Sequence, residues 1–526
     1  MEVSVKARRG ERRQGDFSPR TIAALFVLLS VVAALPVLTN PLPPLSDYIN
    51  HLARMHVITV LPTDPQLAKF YEVNWAVIPN LVMDLIVPVL HRWMDVYLAG
   101  EVFLISIFVI TLSGTLALNR ALYDYWSAMP LIAFPLLYNG VFLIGVMNYL
   151  FGIGVAVWAL ALWIWLRDRP WPLRFLVSQL AVILLFFCHL FAVGLYGIGL
   201  LAFEVYRQWR DLRRFDLRRY AQFVATGIPF LIVIPLLLVS PTLTLANLNF
   251  WEADGKIEGV MLVFKTYYDL VAILLAGVVI AAAVWAMRHR VLHFHRFGWF
   301  LLVIGGVVYL AMPRVLFATY MADQRLPVGL AFMLAGCLHL ELKRKAVRQA
   351  FAAILVVLLV IRVGEVQTVW RQLSQGTWRF KESVAHIDNG SRVLVAYADQ
   401  TLGDNARDLG YVHAACLAMI EKSSLVTTAF TVKGKQILQV RSSYRHIVDD
   451  EDGTPPQISQ LLVAADKEGE EIENYWDGWP KSYDYVYLLF TEKGADNPDS
   501  DRLQLVFEGK RFQLYKVIKP LPEQAQ

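Results

Sequence analysis

The sequence has 526 residues, of which 56% are apolar and 18% are charged, and its mean hydropathy is +0.46. Soluble domains carry about 25% charged and about 45–50% apolar residues. This composition therefore excludes a soluble globular enzyme, a disordered protein and a nucleic-acid-binding protein. The net charge of +5 is small, and three cysteines are too few for a disulfide framework. The balance is typical of a polytopic membrane protein.

Long apolar stretches recur from residue 21 onward. Because a spanning helix needs about 20 mostly apolar residues, the sequence predicts about eleven transmembrane helices. The segment 175–206 can also be interpreted as one broken helix. The approximate spans are 21–39, 97–118, 127–141, 147–166, 175–188, 190–206, 221–240, 267–287, 298–312, 326–340 and 349–363. We therefore predict an α-helical polytopic fold.

Lysine and arginine concentrate in alternate loops, which orients the chain by the positive-inside rule. The N-terminus is therefore predicted to be cytoplasmic, in a bacterial inner membrane. The first span is interpreted as a retained signal anchor, because its apolar run is long for a cleaved signal peptide. The basic segments are the N-terminal tail and residues 167–174, 206–220, 288–296 and 341–348.

Three regions follow from this pattern. They are a basic cytoplasmic tail (1–20), a transmembrane module (21–363) with a long first exoplasmic loop (40–96), and a soluble periplasmic domain (364–526). The last region has three β-rich runs, a helical pattern over 406–422 and a closing hairpin that turns at 508–510, which predict an α/β or α+β domain. The runs are 391–398, 424–432 and 483–490, and the hairpin covers 503–518.

The segment after the first span carries the most informative polar residues. Asp47, Asn50, His51 and Arg54 share one stripe of a predicted helix. A carboxylate such as Asp47 can take a proton from a hydroxyl nucleophile, while Arg54 and His51 can neutralise a phosphate. The structural alternative is an N-cap with a solvated face. A third alternative is a divalent-cation site of Mg or Mn type, with Asp47 and His51 as ligands and Asn50 beside them.

Further candidates lie toward the same side of the predicted membrane. Glu101, near the start of the second span, is a candidate second acid because an ionisable side chain at membrane depth is costly. Arg325 is placed to reach a phosphate at headgroup level, with Arg314 a weaker candidate. Asp323 is either a substrate contact or the partner that pairs Arg325 at the helix end.

Weaker substrate-binding candidates are His189, between two spans, and the polar loop that contains Trp251 and Glu252. Each has a structural alternative, a satisfied backbone carbonyl for His189 and a solvated loop for the others. In the C-terminal domain, His413 and Asp399 follow strand-like runs, and we interpret both as structural.

The layout of residues 20–362 resembles the GT-C superfamily of integral-membrane glycosyltransferases. The resemblance rests on Asp47 in PLSDYINHLAR, the polar loop 247–258 and Arg325 in ADQRLP. The segments GVMNYLFGIG and CHLFA are also similar to those of uncharacterised bacterial members. The sequence departs from better-known members in one respect, since Asp-Tyr-Ile-Asn-His stands where they have an adjacent acidic pair.

The resemblance implies transfer of a sugar from a polyprenyl-phosphate-linked donor to a glycan, lipid or protein acceptor. It implies that Asp47 is the base or a metal ligand and that Arg325 binds the lipid phosphate, with inversion at the anomeric carbon. The sequence is also compatible with two alternatives. One is a transporter or flippase of a lipid-linked saccharide, which needs ionisable residues in mid-membrane. The other is a non-catalytic assembly protein for envelope polysaccharide, in which Asp47 and Arg325 share no cavity.

Overall fold

The computed structural model describes residues 17–212, 217–245, 249–317, 319–342, 344–398, 408–449 and 453–519. The first sixteen residues of the predicted basic tail lie outside this range, and so does Asp399. The helices are α1 (Pro19–Thr39), α2 (Tyr48–Val60), α3 (Pro65–Phe70), α4 (Val82–His91), α5 (Val96–Tyr123), α6 (Gly140–Ile144), α7 (Met147–Trp165), α8 (Trp171–Cys188), α9 (Leu190–Leu212), α10 (Leu217–Ala225), α11 (Val233–Leu238), α12 (Gly255–Met261), α13 (Asp269–Arg288), α14 (Arg296–Ala311), α15 (Ala322–Gly336), α16 (Lys345–Val384), α17 (Leu409–Val412), α18 (Leu417–Lys422), α19 (Ile458–Ala464) and α20 (Trp479–Ser482).

Within the described residues, eight helices are long and apolar enough to cross a membrane. Three more of the predicted spans are shorter elements. They are α14, α15 and a segment made of the 3-10 helix Met129–Leu136 followed by α6. The predicted total of eleven spans and the cytoplasmic N-terminus stay predictions. The eight candidate spans are Pro19–Thr39, Val96–Tyr123, Met147–Trp165, Trp171–Cys188, Leu190–Trp209, Arg219–Leu238, Asp269–Arg288 and Lys345–Val384.

The last of these helices, α16, is 40 residues long. At 1.5 Å per residue it extends about 60 Å, roughly twice the hydrocarbon thickness of a bilayer. It runs without a break across residue 363, the predicted end of the transmembrane module. Its C-terminal half therefore projects beyond the apolar segment and enters the C-terminal domain, where Phe380 and Val384 are buried.

The C-terminal domain contains a mixed five-stranded sheet, so the α/β or α+β prediction holds in outline. The strands of the chain are β1 (Tyr71–Val73), β2 (Leu292–Phe294), β3 (Leu338–Leu340), β4 (Arg392–Tyr397), β5 (Leu425–Val426), β6 (Leu438–Val440), β7 (Tyr485–Leu489), β8 (Leu503–Glu508) and β9 (Phe512–Val517). The order in the five-stranded sheet is β5-β4-β7-β9-β8. Parallel pairing joins β4 to β5 and to β7, and antiparallel pairing joins β9 to β7 and to β8.

The first loop and the C-terminal domain share one apolar core. Ile49 and Val57 of α2 and Phe70 of α3 are buried in the same cluster as the strands of the sheet. Strand β1 also pairs antiparallel with β6, with Tyr71 opposite Val440. A fully buried aliphatic or aromatic side chain contributes about 1.5–3 kcal/mol, so this shared core fixes the position of α2. The start of α2 is thereby held against the C-terminal domain.

Candidate active site

A cavity of about 860 Å³ lies where the first loop, the ends of several helices and the C-terminal domain meet. Asp47 and His51 from the first loop line it, together with His189 and Arg325 from the helical module. The C-terminal domain supplies the facing wall. The wall segments from that domain include Leu409–His413 in part, Thr428–Phe430 and Gly434–Gln436. The structure thus brings four of the predicted site residues to one cavity.

Two backbone hydrogen bonds hold the chain at Asp47, where α2 begins. Its N–H donates to the carbonyl of Ile144 at 3.0 Å, and the N–H of Ser46 donates to Leu143 at 3.2 Å. Although Asp47 stands at the N-cap of α2, its side chain makes no capping hydrogen bond. The carboxylate instead faces the cavity, with 23% of the side chain exposed. The N-cap alternative therefore does not explain this residue.

Gly145 makes the close approach to Asp47 possible. Its φ is +93°, and a Cβ built there would lie 3.0 Å from the backbone nitrogen of Asp47. The left-handed conformation costs an L-residue about 1–2 kcal/mol. We expect Gly145→Ala to lower stability by about that amount and to lower any activity that depends on Asp47 at least tenfold, because a shift of about 1 Å in a reacting group costs about 10²-fold.

Thermal unfolding in detergent measures the stability, and the rate of the reaction that depends on Asp47 measures the second effect. Gly194→Ala is the matched control, since nothing lies within 4 Å of a Cβ at Gly194 and its φ is not positive. The control is expected to keep both properties. Equal behaviour of the two variants would show that Gly145 does not fix the position of Asp47.

Arg325 lies in the first turn of α15 and lines the cavity. Its Nη2 donates to the carbonyl of Tyr320 at 3.0 Å, and its guanidinium lies 5.9 Å from the ring centroid of Phe191. Its backbone carbonyl accepts a hydrogen bond of 2.9 Å from the Tyr149 hydroxyl. The charge of Asp47 is close enough to act on Arg325. A carboxylate and a guanidinium therefore share the cavity.

His51 lines the cavity as a neutral imidazole. Burial lowers the pKa of His51 well below its usual value, and the nearby Arg54 and His413 lower it further. Its ring packs edge-on against Phe430, with centroids 5.3 Å apart. A neutral imidazole cannot neutralise a phosphate. His51 therefore offers hydrogen bonding and shape to a ligand, which differs from the cationic role that the sequence predicts.

Arg54 is withdrawn from the cavity. It is 1% exposed and forms a bidentate ion pair with Asp84, with Nε–Oδ1 and Nη2–Oδ2 distances of 3.0 and 2.9 Å. Burial raises the pKa of Asp84, and the charge of Arg54 opposes this shift. The prediction that Arg54 belongs to a polar stripe facing a phosphate is wrong in placement, because α4 covers the side of α2 that carries Arg54.

Four other predicted residues lie together outside the cavity, namely Asp323, Arg314, Glu252 and Trp251. Asp323 pairs with Lys256 at 2.7 Å and lies 3.9 Å from Arg314, instead of pairing with Arg325. Glu252 contacts Arg314 at 3.4 Å. Trp251 donates through Nε1 to the carbonyl of Leu310 at 3.1 Å. These contacts tie the polar loop to α14 and α15. The structure therefore does not bring Asp323, Glu252 and Trp251 to the cavity, and their predicted substrate contacts stay predictions.

Glu101 does not line the cavity either. It lies in the second turn of α5, buried within the helical module. The neighbouring Gly100 is packed under Tyr48 and Leu52 of α2. Glu101 is thus placed behind the helix that carries Asp47, and the structure does not bring the two carboxylates into one site.

His189 lines the cavity, and its Nδ1 accepts a hydrogen bond from the backbone N–H of Phe191 at 3.1 Å. Asn50 is fully buried and faces the C-terminal domain instead. His413, which the sequence suggested to be structural, lines the cavity, and its Nε2 lies 3.8 Å from Oδ1 of Asp47. No local pattern in the sequence points to this position of His413, because its partner Asn50 is 363 residues away.

The predicted divalent-cation alternative needs several anionic or imidazole ligands together. Among the described residues, no group of three or more His, Cys, Asp and Glu side chains is arranged to hold a metal ion. Asp449 also lines the cavity, together with His51, His189 and His413, but these side chains are not grouped as metal ligands. We therefore assign no chemical step to a metal.

No protein-family model matches this sequence, and no curated protein matches it. Among solved structures, the chain is similar to the crystal structure of ArnT from Cupriavidus metallidurans bound to undecaprenyl phosphate, at 10% sequence identity and a TM-score of 0.47. The similarity covers 95% of this chain and 98% of the ArnT chain.

Proposed function

We propose that this protein is an integral-membrane glycosyltransferase of the GT-C type. It transfers a hexosyl or pentosyl group from a polyprenyl-phosphate-linked donor to an acceptor hydroxyl of a glycan, lipid or protein. Transfer takes place on the periplasmic side of a bacterial inner membrane, in the assembly of an envelope glycan or glycolipid. The observation that carries the proposal is that Asp47 and Arg325 line one cavity at the junction of the helices and the C-terminal domain.

Asp47 and Arg325 have different roles in the proposed reaction. Asp47 accepts the proton of the acceptor hydroxyl, whose oxygen forms a bond to the anomeric carbon. The bond between that carbon and the phosphate oxygen breaks from the opposite face, so the configuration inverts and polyprenyl phosphate leaves. Arg325 stabilises the negative charge that develops on the leaving phosphate. A cavity enclosed by protein on several sides strengthens both interactions, because less water screens them.

The same geometry weighs against the two alternatives. A scaffold protein requires no shared cavity for Asp47 and Arg325, yet both line one. A transporter needs ionisable groups that face a path through the membrane. The buried Glu204 of α9 does not have this form, because its carboxylate is paired with the guanidinium groups of Arg174 and Arg207, at N–O distances of 3.1 and 2.8 Å. The cavity and its charges thus favour chemistry at one surface.

Transfer is tested with the purified full-length protein in liposomes. The donors are a panel of radiolabelled polyprenyl-phosphate hexoses and pentoses, and the acceptor is an extract of envelope glycans and lipids. We expect one donor to lose its sugar to the acceptor, with an equal amount of free polyprenyl phosphate released. Movement of intact donor across the bilayer without cleavage would identify a transporter and overturn the proposal.

Arg325 is expected to govern donor affinity. Removing one charged hydrogen-bond donor from a phosphate costs about 1.5–3 kcal/mol, so we expect Arg325→Gln to raise the KM for the donor about 10–100-fold. The KM for the acceptor should change little, because the predicted contact of Arg325 is with phosphate alone. Steady-state kinetics with each substrate varied in turn measures both constants.

Arg379→Gln is the matched control, because Arg379 is exposed and pairs with Glu382 on the part of α16 outside the apolar segment. This variant should leave both KM values unchanged. An Arg325→Gln enzyme whose donor KM equals that of the control would remove Arg325 from the phosphate site.

A further inference from the structure

Asn50 joins the first loop to the C-terminal domain by three hydrogen bonds. Its Oδ1 accepts from the backbone N–H of Phe430 at 2.8 Å. Its Nδ2 donates to the carbonyl of Thr428 at 2.8 Å and lies 3.1 Å from Nδ1 of His413. Asn50 is fully buried. Because one backbone donor and one backbone acceptor hold the amide, its orientation is fixed and its second N–H points at His413.

This orientation decides where His413 carries its proton. Nδ1 accepts the N–H of Asn50, so the neutral ring has its hydrogen on Nε2. Burial lowers the pKa of His413 to about 4, with the carbonyl of Thr428 acting in the opposite direction. The ring is therefore neutral near pH 7. Its Nε2–H points toward the cavity, where 16% of the side chain is exposed.

The distance from Nε2 of His413 to Oδ1 of Asp47 is 3.8 Å. A direct hydrogen bond between these atoms would need about 3 Å. An oxygen atom placed at normal hydrogen-bond distance, about 2.8 Å, from both atoms fits between them. A hydroxyl there accepts from Nε2–H and donates to the carboxylate. The gap therefore matches a hydroxyl group, which is both donor and acceptor.

We propose that His413, oriented by Asn50, binds the acceptor hydroxyl against Asp47. The inference rests on the proposed glycosyl transfer. In the step, the hydroxyl oxygen bonds to the anomeric carbon, its proton passes to Asp47 and the phosphate leaves with the electron pair of the broken bond. His413 keeps its Nε2 proton throughout. The acceptor side of the cavity is thus formed by the C-terminal domain, and the donor side by Arg325.

The kinetic test compares two substitutions of His413. His413→Phe keeps a ring but removes the N–H, and we expect it to raise the acceptor KM about tenfold and to lower kcat, with the donor KM unchanged. His413→Gln retains an N–H at a similar reach, and we expect it to restore most of the loss. Asn50→Leu removes the group that orients the ring and should resemble His413→Phe. The control is His446→Phe, because His446 is exposed and lies outside the cavity.

The outcomes separate the two proposals. If the wild-type protein transfers sugar but His413→Phe changes donor and acceptor KM equally, or His413→Gln restores nothing, the role of His413 is wrong and the proposed function stands. If the wild-type protein transfers no sugar from any donor, the proposed function fails.

A second measurement then decides the arrangement of His413 without turnover. In ¹⁵N-histidine spectra of the full-length protein in nanodiscs, the His413 signals are those that disappear in His413→Gln. We expect a protonated Nε2 and an unprotonated Nδ1 near pH 7. A proton on Nδ1 would overturn the inference, because Nε2 would then have no hydrogen to offer the acceptor.

Discussion

Replacing Asp47 with asparagine is expected to lower kcat for sugar transfer about 10²–10⁴-fold, the range that a positioned general base contributes. Asparagine has the same shape but cannot accept the hydroxyl proton at neutral pH. The fold should be retained, because the Asp47 side chain makes no capping hydrogen bond and faces the cavity. Single-turnover assays with saturating donor and acceptor measure the chemical step apart from binding.

Asp64→Asn is the matched control for this experiment. Asp64 also lies in the first loop, where it caps α3 by accepting from the backbone N–H groups of Gln66 and Leu67. Asparagine caps helices about as well as aspartate, so this variant should keep both stability and transfer. Near-normal turnover by Asp47→Asn, with folding and donor binding unchanged, would refute the assignment of Asp47 as the base.

The largest expected loss of stability comes from Asp84→Asn. The Arg54–Asp84 pair is 1% exposed on both sides. Removing one partner of such a pair leaves a buried, uncompensated charge and costs about 3–5 kcal/mol. Because Arg54 lies on α2 three residues after His51, we also expect the cavity wall to shift. Thermal unfolding in detergent, followed by gel filtration, measures the loss.

Two further variants test whether the unpaired charge of Arg54 causes this loss of stability. Glu382→Gln removes the anion of the exposed Arg379–Glu382 pair and should cost less than about 1 kcal/mol. The double variant Arg54→Leu with Asp84→Leu should recover most of the stability, because replacing both charges with apolar groups leaves neither unpaired. Equal melting temperatures for Asp84→Asn and Glu382→Gln would mean that the buried pair contributes little.

The helices and the strands of the C-terminal domain could be predicted from the sequence, because local periodicity determines both kinds of element. The predicted run 391–398 corresponds to β4, and the hairpin over 503–518 corresponds to β8 and β9. The run 424–432 forms only the short β5. After β5 the chain leaves the sheet. The residues that follow β5 in the predicted run line the cavity and form hydrogen bonds with Asn50.

The placement of side chains depended on long-range partners that no local pattern reveals. Asp47 and Arg325 could be recognised as candidates, since each lies near the end of an apolar segment, but only the structure shows that they line one cavity. Arg54 could not be placed, because its partner Asp84 comes from a separate helix of the first loop. The residues Asn50 and His413 were assigned to unrelated regions, yet they are in direct contact.

The covered position of α2 explains the main error. The sequence pattern of α2 has a polar stripe, which ordinarily faces water. In the structure, the C-terminal domain and α4 cover this helix, so that polar residues on α2 must find protein partners. Arg54 pairs with Asp84 and Asn50 bonds to the C-terminal domain, while Asp47 and His51 line the cavity.

The contribution of the C-terminal domain to the cavity wall has a consequence for biosynthesis. Asn50 and His413 are 363 residues apart, which at about 5–20 residues per second is roughly 20–70 s of translation. During that interval the nascent chain has its first helices in the membrane but lacks the facing wall. A chain that stops before residue 413 therefore inserts into the bilayer without a complete site. Completion of the site therefore waits until synthesis of the polypeptide has passed that point.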